Sequence, residues 1–189
     1  MVWGARSRGQ VDTTHPDIQK VSERVDSRWS STALQGRRDL EEQRANVERG
    51  VSKTLESKHL LEYSSDPEKG VDAIDVAPDP LKWPQLKAKM LEIDRLLEAL
   101  GRDGLDRDDR RELSTKIRAA MSTHAKELGR WYAFAGYFHA VADEMYARGE
   151  ISAPMRHGYD WNGNHQLDDQ SFDDLPHHER VSSQSSGQG

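Results

Sequence analysis

With 189 residues, a hydrophobic fraction of 34% and a charged fraction of 32%, the chain suits one soluble α+β domain with polar segments and room for an insertion. Its net charge of −6 argues against a nucleic-acid surface, because phosphate binding needs a basic field. No run of about 18 apolar residues exists to span a bilayer, and the absence of cysteine excludes Cys nucleophiles, disulfides and thiolate metal sites.

Residues 1–14 read as a flexible leader. They lack the apolar stretch of a secretory signal, so the chain is expected to fold in a cytoplasm. A helix starts at His15-Pro16-Asp17: Pro16 suits a first turn, and Ile18, Val21 and Val25 recur at helical spacing. His15 is read as a local cap or core contact rather than a metal ligand. Ser30 to Leu34, with β-branched Thr32, suits a short strand. Gly36 separates it from a second helix, Asp39 to Glu48, which stops at Gly50. Ser52 to Pro80 is irregular apart from a β-prone run, Ala73 to Ala77. From Pro84 an apolar stripe of Leu86, Met90, Ile93, Leu97 and Leu100 marks a helix that ends at Gly101. Two more helices are predicted, one from Asp108 to Met121 and one from Lys126 to Arg148. The latter holds Trp131, Phe134, Phe138 and Met145 and is the candidate central core helix. After Gly149 the chain is loop-rich, and Ser182 to Gly189 reads as a disordered tail.

Without cysteine, a catalytic metal must be held by His and carboxylate. A hydrolytic zinc site needs three protein ligands and one open position, and eight histidines offer more than one such set. Taken singly, His59 reads as a surface or core histidine, Asp75 as a strand-end or turn residue, and Arg38 as a solvated helix charge. Order along the chain says more. Gly36-x-Arg38 followed by Gln43, Gly50-x-Ser52-Lys53, Ser57-Lys58-His59, Ala73-x-Asp75 and Asp174-x-x-His177 occur in succession. In this succession the chain resembles the bacteriophage endolysins of the D-Ala-D-Ala carboxypeptidase / L-Ala-D-Glu endopeptidase family. Arg156-His157-Gly158-Tyr159-Asp160-Trp161 is similar to the Arg-Trp-Gly-Gly-Asp-Trp of the phage members. The resemblance covers residues 15–80 and 126–181. It departs from the family in the long step from His59 to Asp75, where Val71-Asp72 stand in place of Gly-His. Residues 84–125 read as a helical insertion, either packed on the domain or forming a lid or partner surface.

The resemblance implies an α+β fold of the Hedgehog/DD-peptidase type. A small antiparallel sheet would carry a zinc site, with helices packed on one side, in a single domain over residues 15–181. It implies His59, Asp75 and His177 as zinc ligands and Asp174 as catalytic base. Arg38 would stabilise the oxyanion or hold a substrate carbonyl or carboxylate, and Ser52 and Ser57 would contact substrate or orient ligands. The implied function is hydrolysis of a peptide bond in the peptidoglycan stem, L-Ala-D-Glu, by a monomeric endolysin. It would wait in the host cytoplasm and act in the periplasm and cell wall. Two rivals stand beside this: a D-Ala-D-Ala carboxypeptidase or dipeptidase using the same zinc machinery, and a non-catalytic zinc-binding cell-wall module. Asp174 and Arg38 argue against the second, because a structural zinc needs neither base nor oxyanion partner.

Two local readings remain. His178 adjoins His177; on an extended backbone the neighbours face opposite sides, and the motif spacing selects His177. Asp160-Trp161-Asn162-Gly163-Asn164, with Asp168 and Asp169 beyond, alternates oxygen donors like the start of a calcium loop. Its Gly is misplaced, and Ser171 stands at the twelfth position where Glu is needed. A polar loop is the preferred reading over a cation site.

Overall fold

The computed structural model describes residues 3–170 and 173–181. The chain divides into two compact units, one formed by Met1–Leu81 and Trp131–Gly189, the other by Lys82–Arg130.

The first unit is built on a four-stranded antiparallel sheet of order β1-β2-β4-β3, with β1 Ser31–Gln35, β2 Ala73–Pro78, β3 Met155–His157 and β4 His177–Arg180. One sheet face presents Ala33, Ile74 and Val76 to the core. That core is completed by helices α1 (Ala5–Val11) and α2 (Pro16–Asp26) and by the end of a long helix, through Val11, Ile18, Phe134 and Phe138. The fold class is the expected α+β, and the strands at 31–35 and 73–78 lie where they are predicted. β3 and β4 fall in the stretch read as loop-rich. At three and four residues they are too short to show a period of their own.

Local chemistry explains the helix starts. His15 caps α2: its Nδ1 accepts from the Asp17 N–H at 3.1 Å, with Pro16 in the first turn. Asp39 caps α3 (Leu40–Glu48) by accepting from the Glu42 N–H at 2.7 Å, and Glu41 and Glu42 lie where the helix dipole favours negative charge.

Residues 3–14 belong to the fold and are not the expected flexible leader. Residues 5–11 form α1, and Trp3 and Val11 are buried in the core. The apolar residues there are too few to show periodicity, and their burial comes from docking on β1. Gly36, just after β1, is where α1 comes close. A Cβ at Gly36 would collide with the Gln10 carbonyl oxygen and the Thr13 hydroxyl. The proposed tail, Ser182 to Gly189, lies outside the described residues.

The second unit holds α4 (Leu86–Leu100) and the beginning of α5 (Arg107–Ala147). The two helices predicted at 108–121 and 126–148 are one, because Ser122 to Ala125 contains neither Gly nor Pro to stop propagation. Of the predicted stripe on α4, Met90 and Leu97 are exposed. Among the described residues no helix is long and apolar enough to cross a membrane.

Candidate active site

Antiparallel register supplies two parts of the site. Asp75 on β2 is paired with His177 on β4, and directly opposed side chains in such a pair lie on one face within reach of each other. The next pair, Ile74 with His178, faces the other way. His178 is fully buried there, stacked on Phe138 at 3.8 Å with a 5° interplanar angle, its Nδ1 2.7 Å from His157 Nδ1. The structure thus places His177 on the site face and His178 in the core.

His59 arrives on a loop after α3. Its backbone N–H donates to Ser57 Oγ at 3.3 Å, and its carbonyl accepts from the Arg38 N–H at 2.9 Å. The ring Nδ1 is 2.6 Å from the Gly36 carbonyl oxygen, an acceptor only, so the proton sits on Nδ1 and the Nε2 lone pair is free. This Nε2 lies 3.3 Å from His177 Nδ1 and 3.2 Å from Asp75 Oδ1, and the last two atoms are 3.2 Å apart. Three donors thus form a nearly equilateral triangle. A tetrahedral ion with bonds of about 2.0–2.1 Å spaces its donors by roughly 3.3 Å, so two imidazoles and a carboxylate in this arrangement fit a zinc-like cation. His59, Asp75 and His177 are also the only group of three or more His, Asp or Glu side chains so gathered among the described residues.

The long step from His59 to Asp75 is closed by hydrogen bonds. Ser64 Oγ donates to the Gly70 carbonyl at 2.6 Å, and the Ser65 N–H donates to Asp72 at 2.5 Å. Gly70 has φ +111° against the backbone of Thr13 and Thr14, a conformation and a contact that exclude a side chain.

Around the triangle the charges are arranged in layers. Burial alone would raise the Asp75 pKa, but His59 and His177 outweigh it and hold it well below the usual carboxylate range. Burial opposes charging of His177, yet hydrogen bonds to Asp75 and Glu179 draw its pKa up to about 10. Asp174 is raised, first by burial and then by the charge of Asp75, with His177, His59 and Arg38 opposing. A tight backbone knot holds Asp174: its N–H donates to the Gly158 carbonyl at 2.8 Å, and its carbonyl accepts from the His177 N–H at 3.0 Å. Gly158 is needed here, since a Cβ would meet the Asp174 backbone.

Arg38 reaches Asp75 Oδ2 at 3.6 Å and donates to Gln43 Oε1 at 2.6 Å. Gln43 in turn donates to Ser52 Oγ at 2.9 Å and the Thr54 carbonyl at 2.5 Å. Ser52 therefore braces Arg38 through Gln43, and Ser57 braces the His59 backbone. Both serines touch the site through such supports.

Glu179 belongs to none of the sequence motifs. It is buried, its Oε2 is 3.0 Å from His177 Nε2, and Arg156 binds its other oxygen. The available signal was the strand period: two residues after His177 means the same face. In the loop Asp160 to Asp169, Asp160 accepts from the Asn164 and His165 N–H groups at 3.1 and 3.0 Å, and Asp169 from the Asn162 and Asn164 side chains at 3.0 and 2.6 Å. The Asp160 and Asp169 carboxylates thus brace the loop from within.

A sequence model of the family described as phage L-alanyl-D-glutamate peptidase matches residues 1–118, a span that includes α1, Arg38, His59 and Asp75 and stops short of Asp174 and His177. No curated protein matches in sequence. Among solved structures, the L-Ala D-Glu endopeptidase ChiX of Serratia marcescens aligns with a TM-score of 0.46 and 18% identity, over 95% of this chain and 89% of that one. With more than half of its length matched by the family model, the chain belongs to the phage L-alanyl-D-glutamate peptidase family.

Proposed function

We propose that the protein is a zinc peptidase that cuts the L-Ala-D-Glu bond of the peptidoglycan stem peptide as a phage endolysin, reaching the host wall after release from the cytoplasm. The observation that carries this reading is the triangle of His59 Nε2, Asp75 Oδ1 and His177 Nδ1, with edges of 3.2–3.3 Å, in a chain of this family.

His59, Asp75 and His177 would hold the metal. When bound, zinc supplies Lewis acidity, which lowers the pKa of water and polarises an amide carbonyl. The protein's own groups do the rest. Asp174, held in its backbone knot, takes a proton from the attacking water and returns it to the leaving amine, so that OH ends on the carbonyl carbon and H on the nitrogen. Its raised affinity for protons suits this exchange. Arg38, fixed by Gln43 and facing Asp75, offers fixed positive charge for the developing oxyanion or a substrate carboxylate.

The test is mass analysis of fragments released from purified peptidoglycan, with zinc and with excess chelator. The reading expects new N-terminal D-Glu and C-terminal L-Ala, abolished by chelation. Release of free D-Ala instead would assign the D-Ala-D-Ala carboxypeptidase activity. Zinc binding with no released fragment would assign a non-catalytic wall-binding module.

A further inference from the structure

We infer that Glu179 and Arg156 are positioning residues that set the donor strength of His177 toward the metal, with Arg156 acting through Glu179. The inference rests on the metal reading above and deepens it.

A neutral imidazole carries one ring proton, and His177 can present the Nδ1 lone pair only if that proton sits on Nε2. Glu179 Oε2 lies 3.0 Å from Nε2. An ionised carboxylate only accepts, so it holds the proton on Nε2 and pushes electron density toward Nδ1. His59 differs, because its second nitrogen faces the neutral carbonyl of Gly36. The two imidazoles are therefore unequal, and His177 is the stronger donor.

Glu179 is only 5% exposed, and a buried carboxylate is costly unless paired. Its partner across the β3–β4 ladder is Arg156. Arg156 Nε donates to Glu179 Oε1 at 3.0 Å, and its Nη2 bonds the same oxygen, which leaves Oε2 for His177. The guanidinium also lies over the Trp161 ring, 5.4 Å from its centroid, and Trp161 packs at 5.2 Å against the His177 ring. One arginine thus fixes the carboxylate that orients His177 and the ring beside it.

The experiment uses the full-length protein, stripped of metal, with the zinc dissociation constant read by chelator competition and the cobalt-substituted site read by its visible absorption. Wild type is expected to bind one zinc. Glu179→Gln keeps an acceptor but loses the charge, and should weaken zinc about 10–100-fold and shift the cobalt bands, the scale seen for outer-shell partners of ligating histidines. Arg156→Ala should weaken zinc, Arg156→Lys should restore most of the loss, and adding Arg156→Ala to Glu179→Gln should cost little more. The Arg156 side chain is 45% exposed, so its variants report even if Glu179→Gln does not fold. Wild-type affinity and unchanged cobalt bands in folded variants would overturn the inference while leaving the metal site standing. Failure of wild type itself to bind zinc would overturn the metal reading and this inference with it.

Discussion

Asp75 and His177 are partners across the β2–β4 ladder, and Asp75 Oδ1 lies 3.2 Å from His177 Nδ1. A slip of one residue in β4 would bring His178 to that place and turn His177 toward Phe138. The apolar face of the sheet therefore fixes the polar site: burying Ile74 and His178 on one side obliges Asp75 and His177 to meet on the other.

This register separates two adjacent histidines. His177→Ala should lose stoichiometric zinc. His178→Ala should keep it while losing stability, by roughly 2–4 kcal/mol for a buried ring, because the Phe138 stack and the bond to His157 go with it. Metal content of the two purified proteins, measured side by side with their thermal midpoints, decides this. The opposite pattern would move the ligand to His178 and remove the ground for Asp174 as base.

Asp174→Asn should separate chemistry from metal binding. The amide keeps the size and the backbone knot with Gly158 and His177, so fold and zinc content should match wild type. Turnover should fall by about two to four orders of magnitude, the scale for a positioned acid–base group. Wall-lysis rates close to wild type would mean that another group moves the proton.

Gly36→Ala tests the path from α1 to the metal. The added Cβ collides with Gln10 and Thr13, and the Gly36 carbonyl holds His59 Nδ1 at 2.6 Å. The variant should lose about 1–3 kcal/mol of stability, as overpacked sites do, and should bind zinc more weakly. Denaturant midpoint and zinc titration read the two effects. A variant as stable as wild type would mean that α1 does not press on Gly36 in solution.

Acid should weaken one brace of the first unit in a defined window. Burial raises the Asp17 pKa, but hydrogen bonds from Ser152 and Arg180 outweigh it, and the net shift is downward. A carboxylate lowered in the folded state contributes fully above its unfolded value of about 3.9 and loses that contribution as pH falls through the lower folded value. The comparison is Asp17 against Asp17→Asn in a His15→Asn background, which keeps a helix cap and removes the titrating neighbour 3.7 Å away. The gap in urea midpoint should hold from pH 7 to about 5 and narrow below about 4. A gap that widens on acidification would contradict the shift.

Local features of the chain were legible as they stood. A cap such as His15 acts over two residues, and helical spacing in Ile18, Val21 and Val25 declares a buried face within one element. Motif order singled out His59, Asp75 and His177 by the family resemblance, and the fold gathers these three. The helix break expected near Met121 failed for an equally local reason, since propagation needs no further signal once a long helix has formed.

What the tertiary structure alone decided lies between distant segments. His59 and Asp75 meet His177 across 118 and 102 positions, and no local pattern encodes such a meeting. Residues 5–11 have too little apolar periodicity to announce a helix, and they become one by docking Trp3 and Val11 into a core that other elements supply. Ser52 and Ser57 are polar residues in a loop until Gln43 and His59 give them partners. Glu179 is one more surface-type charge in the sequence; the sheet places it on His177, and Arg156 from the neighbouring strand makes its burial tolerable. Sequence nominated the side chains proposed for the chemistry, through the types and order of its motifs, which are local properties. The fold decided their partners, because pairing depends on strand register and on the loops that close it.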